Sequence, residues 1–401
     1  MGALHRLLAA ACCLLLICGG TTGCGDRAEL PEKAFVMGIG FDDAGRNEVL
    51  VTFQVYKPSQ TVAAKGKTGL PYINVRTRDS SVVEALRDIT IHLGRKAQFS
   101  HMRVILISEK LAHKIPIPQL LDVFYRDNEP RLTSTVFITK GSASAYFEHK
   151  PFIESTISQQ YYLSERSASS NSGKTVESNL LKLALQLRSQ SGVGALPYLA
   201  GSPRGTGKES SAAGLSIIKG GLVVDSFLGT DTEGLLMLMK QYTNGILQVP
   251  CEAKEIKPDE EQHDRTMLNE SVETLHFDEH RQVKLQGDKI KVSYKINASV
   301  AATELSCSVI NTSEEEEAFG AKVSDVIKKQ MLKSLVHLKH HKADLIGIGN
   351  DIYKHHPQLW KKWEKDWPEK FASIEYDIQV DTLLMTHGTT AGRTLLETKS
   401  D

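Results

Sequence analysis

Five histidines are the first residues in the chain whose spacing could do chemistry. His337, His340 and His341 fall at helical spacing, with His355 and His356 a short way on, and imidazoles so placed are frequent zinc ligands. Lys339 and Lys342 flank two of them. Lysines repel a cation, so the pattern reads as solvated charge ending a helix, and no metal is expected. The stretch through Gly201, Gly205, Gly207 and Lys208 has the look of a phosphate loop but breaks its rule. The position five before Gly207 is Ser202, and Glu209 stands where a magnesium-binding hydroxyl belongs. Gly38-Ile39-Gly40 and Gly347-Ile348-Gly349 lack the third glycine of a dinucleotide loop, and are read as sites of close backbone packing or turns. Arg126-Asp127 reads as an ion pair or turn cap. Spacing yields no Ser-His-acid set and no paired carboxylates, so the chain is not read as an enzyme and no cofactor is expected.

The thiol of Cys24 carries the chemistry that remains. Arg6 precedes an apolar run from Leu7 to Ile17, and small residues then lead to Cys24. The run is too short to cross a bilayer of ~30 Å, which needs about 20 residues. Its three-part form is that of an export signal, assigned to residues 1–23. Thr21-Thr22-Gly23-Cys24 resembles the bacterial lipobox, with Thr21 in place of the usual leucine; there the cysteine receives a diacylglyceryl group and becomes the mature N-terminus. Two acyl chains at about 0.8 kcal/mol per buried methylene hold a polar body stably on a membrane. Cys12, Cys13 and Cys18 leave with the signal, so Cys251 and Cys307 remain. A disulfide between them and two unpaired cysteines in separate strands both fit this count.

The elements that must carry these residues follow from patterning. Of 401 residues, 41% are apolar and 24% charged, which is globular composition of two- or three-domain length. Lys plus Arg and Asp plus Glu are 48 each, and aromatics are 6%, which argues against a nucleic-acid partner. Strands are expected at 35–41, 49–56, 103–107, 132–138, 214–218 and 221–224, with helices at 81–93, 118–125, 176–187 and 232–240. Ser167 to Gly173 reads as a mobile loop, and Ser189 to Ser211 as a linker or long exposed loop. Two strands alternate around Gly287-Asp288, with Ile290, Val292, Tyr294 and Ile296 on one face. A long helix over 314–341, capped by Ser313 with Glu316, buries Phe319, Val323, Ile327, Met331, Leu335 and Leu338, and a final strand runs over 374–384. Trp360, Trp363 and Trp367 share one helical face and are expected to pack into the core, with Trp363 the position that could instead meet lipid or a partner. The fold class is α+β or mixed α/β and multidomain, each domain a mixed sheet with packed helices. The expected units are 24–195, a middle region 196–265, and a C-terminal unit 266–395.

Four segments resemble the Ger(x)C family, the C-subunit lipoproteins of bacterial spore germinant receptors. Gly23 to Leu30 followed by Gly38-Ile39-Gly40-Phe41-Asp42 is similar to the family's start, with Gly25 in place of its usual tryptophan. His101 to Ser108, with Tyr125-Arg126-Asp127, resembles its central strand and Arg-Asp turn. Ala213 to Leu222 resembles the start of its second half. Ala343-Asp344-Leu345-Ile346-Gly347-Ile348-Gly349, then Pro357 to Trp360, Asp366-Trp367 and Phe371, resembles its C-terminal signature.

The resemblance implies a non-enzymatic scaffold subunit of a nutrient germinant receptor, required for spore germination. It implies acylation at Cys24, a place on the outer face of the inner spore membrane, and transmembrane A- and B-type subunits as partners. The alternative from another class is a solute-binding lipoprotein that holds a small molecule between two lobes.

Overall fold

The computed structural model describes residues 33–57, 69–201, 210–251 and 269–386, together with Gly2 and His5. Cys24, the rest of the signal segment and most of the Gly201–Glu209 stretch therefore lie outside the described residues.

Continuous apolar runs set the centre of the first sheet. In chain order its first part is β1 (Lys33–Gly45), β2 (Glu48–Tyr56), β3 (Tyr72–Asp79), α1 (Val82–Leu93), β4 (Lys96–Gln98), β5 (Val104–Ser108), α2 (Glu109–Ala112), α3 (Ile117–Arg126), β6 (Thr135–Thr139), α4 (Ala143–Tyr146) and α5 (Ile157–Asn171). There follow α6 (Leu180–Arg188), β7 (Val193–Gly201), β8 (Ser210–Ser211), β9 (Gly214–Lys219) and β10 (Leu222–Leu228). Among the described residues these ten strands form one sheet in the order β10-β9-β7-β6-β5-β1-β2-β3, with β4 on β1 and β8 on β7. β1, β5, β6 and β7 run parallel, and hairpins flank them. Helices cover both faces. Ile105 and Ile107 enter one core with α1, α3 and α6, while Val104 and Leu106 enter the other with Phe137, Phe147 and Tyr161. Burial on both faces is why β5 reads as an unbroken apolar run.

The second sheet is built by alternation. After α7 (Thr230–Leu238) come β11 (Gly245–Pro250), β12 (Asn269–Gln286), β13 (Lys289–Glu304), α8 (Ser313–His340), α9 (Ile348–His355), α10 (Pro357–Trp363), α11 (Trp367–Ala372) and β14 (Glu375–Thr386). The strand order is β11-β12-β13-β14, with β13 and β14 parallel. Gly287, at φ +62°, makes the β12–β13 turn, and Ile290, Val292, Tyr294 and Ile296 face the core as expected. α8 lays its stripe from Phe319 to Leu338 on that face. Gly320 lets the helix backbone approach Thr382, since a Cβ there would sit 2.7 Å from its carbonyl oxygen.

The two halves share one core. α7 is buried all round and lies between Leu215, Ile217 and Phe227 of the first sheet and the stripe of α8. Its second half, Leu235 to Leu238, is apolar on every side and belongs in an interior. The result is a two-domain α+β molecule of mixed sheets and packed helices.

Several expectations are corrected. Ser167 to Asn171 is not a mobile loop but the last turns of α5. Ser169 and Ser170 each donate a hydroxyl to the Arg166 carbonyl, and Ser172 to that of Ala168, so the serines satisfy helix carbonyls instead of solvating a loop. The linker reading of 189–211 also fails over 193–201. That segment is β7, buried from Val193 to Ala200; Leu196 and Leu199 reach opposite cores, and Gly and Pro composition hid the strand. Residue 195, the expected end of the first unit, lies inside β7, and the sheet continues to Leu228. The cap of α8 is Thr312, not Ser313. Its hydroxyl accepts from Glu315 N–H at 3.2 Å while the Glu315 carboxylate accepts from Thr312 N–H at 3.0 Å. Smaller shifts place β6 at 135 instead of 132 and α7 at 230–238 instead of 232–240.

Candidate functional site

The C-terminal signature is a structural knot. Asp344 sits just ahead of α9, and its carboxylate accepts Ile348 N–H at 2.9 Å, Gly349 N–H at 2.6 Å and Trp367 Nε1–H at 3.0 Å. It therefore satisfies open donors at a helix start. Asp344 is 1% exposed. Burial raises its pKa, opposed by the backbone donors of Gly349 and Ile348. Gly347 turns the chain into α9 at φ +76°, and a Cβ on Gly349 would lie 2.9 Å from both Trp360 and Trp367. Those rings meet edge to face at 5.2 Å. The glycines expected to permit turns and close packing do both.

The knot also ties the halves together. Trp360 Nε1 donates to Gln190 Oε1 at 3.1 Å, and Asn350 Oδ1 accepts Ser191 N–H at 3.1 Å. Arg281 donates to the Ile346 carbonyl and to Asp351. Trp363, kept as the exposed alternative, is 2% exposed, with Lys370 Nζ 4.5 Å from its ring centroid. The exposed reading is corrected: helical spacing alone cannot tell a stripe packed into protein from one packed on lipid.

The histidines are divided between two uses. His337 Nδ1 and His341 Nε2 approach Asp225 Oδ2 at 3.4 and 3.0 Å, bridging α8 to β10. His340 stacks edge-on to His341, and His355 Nδ1 contacts the Asp351 carbonyl of its own helix. Among the described residues no group of three or more His, Cys, Asp or Glu is arranged to hold a metal.

A cleft of about 840 Å³ opens where the parallel strands end, between the β1–β2 turn, the start of α1 and the outer face of α3. Asn47, Ser81, Gln119, Asp122, Arg126 and Asp127 are among its walls. Crevices at the carboxyl ends of parallel strands are common ligand sites. Here Arg126 is occupied with Asp122 at 2.6 Å, and Asp127 Oδ1 accepts Glu129 N–H at 3.0 Å. The Arg126-Asp127 pair thus finishes a helix, one of the two roles expected of it.

Cys251 and Cys307 are joined by a disulfide, with Cα atoms 6.0 Å apart and a sequence separation of 56. The bond closes the end of the second sheet where β11 leaves β12. Beside it the buried carboxylate of Glu270 accepts Cys307 N–H at 3.1 Å, Ser308 N–H at 2.6 Å and the Ser308 hydroxyl at 2.8 Å.

Sequence reasoning missed five further buried acids, Glu279 among them. Asp42 caps α4 through Ala143 and Ser144 N–H at 2.7 and 2.8 Å. Glu165 and Glu233 are each 1% exposed, and burial pushes both up to about 7. Glu270 is the clasp just described. The available signal was an acid set in an apolar context, as in Thr232-Glu233-Gly234-Leu235-Leu236.

Comparison with known proteins agrees along most of the chain. A spore germination protein N-terminal domain matches residues 26–200, and a spore germination B3/GerAC-like C-terminal domain matches residues 213–388. Spore germination protein B3 of Bacillus subtilis (strain 168) is 24% identical over 380 residues, covering 94% of this chain and 96% of that protein. Spore germination protein A3 of the same organism is 24% identical over 401 residues, covering 96% and 98%. The crystal structure of the GerBC protein is similar in fold, with a TM-score of 0.56 at 18% identity over 87% of this chain and 97% of that one.

Proposed function

The chain belongs to the Ger(x)C family of spore germination proteins, and from that premise we propose that it is the lipid-anchored C subunit of a nutrient germinant receptor. In this reading Cys24 carries a diacylglyceryl group and the body stands on the outer face of the inner spore membrane. It docks there against A- and B-type transmembrane subunits as a scaffold without chemistry of its own. The observation that carries the reading is order along the chain: a lipobox-like Cys24 stands two residues before a match to two consecutive spore germination domains that ends at residue 388. No helix among the described residues is long and apolar enough to cross a membrane. Confinement to a surface raises the effective concentration near partners without any new contact.

The geometry supports a scaffold. The buried acids Asp42, Asp344 and Glu270 are spent on capping backbone N–H groups, and the disulfide suits an exported protein. The test is co-expression with the A- and B-type subunits followed by pull-down and intact mass. We expect co-purification and a diacylglyceryl mass on Cys24, both lost in Cys24→Ala. Membrane subunits that assemble equally well without this chain would sink the proposal.

The cleft at the strand ends favours a second reading, capture of a small solute. That reading expects a rise in Tm with germinant nutrients that scales as the logarithm of their concentration, and an unmoved Tm would dismiss it.

A further inference from the structure

The first sheet has two unlike ends, and the one where β1 begins carries an unusual rim. Lys33, the first residue of β1, pairs with Lys96 of β4, directly after the end of α1. In the last turn of α1, Ile89 is buried but Ile91 is 79% exposed. On the opposite face the chain leaves α4, and Tyr72, the first residue of β3, donates its hydroxyl to the His149 carbonyl at 3.3 Å. The loop that follows is Lys150-Pro151-Phe152-Ile153, with Phe152 71% and Ile153 89% exposed. Leu70, just ahead of β3, is 44% exposed at the same end. Lone exposed apolar residues are ordinary. Here they stand on both faces of the sheet at one level, around the point where the chain arrives from Cys24.

Basic residues stand at the same rim. Arg95 and Lys150 are exposed there. The neighbouring acid Glu148 is held by Arg76 at 2.6 Å, which leaves Glu154 as the other acid beside the loop. Nine positions separate Cys24 from Lys33, a reach of about 30 Å at full extension. A tether that short keeps this end of the sheet near whatever holds Cys24.

We infer that this end of the molecule lies on the bilayer, with Phe152, Ile153 and Ile91 in the interfacial layer and the basic residues among anionic headgroups. The inference rests on the lipid-anchor reading of Cys24 and adds to it an orientation. Apolar side chains flanked by lysine suit that layer, where each contributes independently of acyl chains. The cleft at the opposite ends of the strands then faces away from the membrane.

The test places an environment-sensitive fluorophore at position 153 (Ile153→Cys), at 91 (Ile91→Cys), and at the exposed position 336 of α8 (Val336→Cys) as control, in the full chain. Vesicles are phosphatidylcholine with phosphatidylglycerol. Each label is read with native Cys24 and again with Cys24→Ser at saturating vesicle concentration, and acyl mass is measured separately. Blue-shifted emission at 153 and 91, quenched by lipid-borne quenchers and absent at 336, is the expected result. Replacing Phe152 and Ile153 with aspartate should weaken vesicle binding of the Cys24→Ser chain about a hundredfold or more, since each buried side chain contributes above about 1.4 kcal/mol, a factor of about ten. Water-like emission at 153 on protein that carries the acyl group overturns the orientation and leaves the anchor standing. A shift at 153 without acyl mass retains the membrane face and removes the anchor. A shift that needs the membrane subunits and not lipid overturns the inference in favour of a protein contact.

Discussion

Two buried carboxylates, Asp344 before α9 and Glu233 in α7, sit in regions that answer burial in opposite ways. Asp344 meets three donors, two from backbone and one from Trp367, and its surroundings were built around an acceptor. Glu233 receives one side-chain hydrogen bond, from Gln330 Nε2 at 3.2 Å. Among the described residues Glu233 Oε1 and Gln330 Oε1 are both buried without a partner. Two acceptors face a shortage of donors, so a proton on Glu233 would supply what the site lacks, and burial accordingly lifts it to about 7. The first region is a fixed joint. The second, where Gly234 lets α7 press against the backbone of α8 at Gln330, is a joint between the halves with an electrostatic cost that depends on pH.

The largest effect should come from breaking the fixed joint. Asp344→Ala leaves two backbone N–H groups and an indole N–H buried without acceptors, at about 1–3 kcal/mol each. A total of about 5 kcal/mol is expected, read as a fall in denaturant midpoint. If Asp344→Ala costs less than Trp367→Phe alone, the knot is not organised by the carboxylate. At the far end of the same β12–β13 hairpin, replacing Cys251 and Cys307 with serine removes a cross-link over 56 positions. Loop-closure entropy puts that loss at about 4 kcal/mol. An unchanged melt under reducing conditions would show that the clasp at Glu270 suffices there.

Neutralisation sharpens the comparison because its sign should invert. Glu233 and Glu165 both have folded pKa values near 7 against about 4.5 unfolded. Below about 4.5 both states are protonated and neither group costs anything. Between about 4.5 and 7 the unfolded chain releases protons that the folded chain keeps, so stability declines with rising pH and levels off above about 7. Each group accounts for on the order of 3 kcal/mol. Glu233→Gln should therefore raise Tm at pH 8, leave it nearly unchanged at pH 4, and reduce the difference between the two. Asp344→Asn, the same chemical change, should lower Tm at both, because the new amide turns a donor toward donors.

The two regions also differ in how far they were legible from sequence. The alternating strands around Gly287 and the stripe of α8 follow from residue order, since each position faces one way and burial filters it. The spacing from Asp344 through Trp367 stood out in the chain, but what it does depends on α11 folding back across 23 positions, which no local pattern encodes. β7 was hidden for a related reason. Val193 to Gly201 is rich in small residues because two layers of helix crowd it, and small residues in sequence read as a linker. Glu233 was visible as an acid among leucines, yet its shortage of donors belongs to α8.

The smallest prediction tests whether helix ends matter to the joint or only to their own helix. Thr312 and Glu315 form a reciprocal cap on α8, and their contribution is local. Thr312→Ala should cost about 1 kcal/mol, well below Asp344→Ala, and should act independently of Glu233, whose partner Gln330 lies far along the same helix. Distant sites with no shared partner add within about 0.5 kcal/mol. If Thr312→Ala and Glu233→Gln in combination depart from the sum by more than that, α8 moves as one rod, and the pH-sensitive joint extends from Glu233 to the helix end beside Cys307.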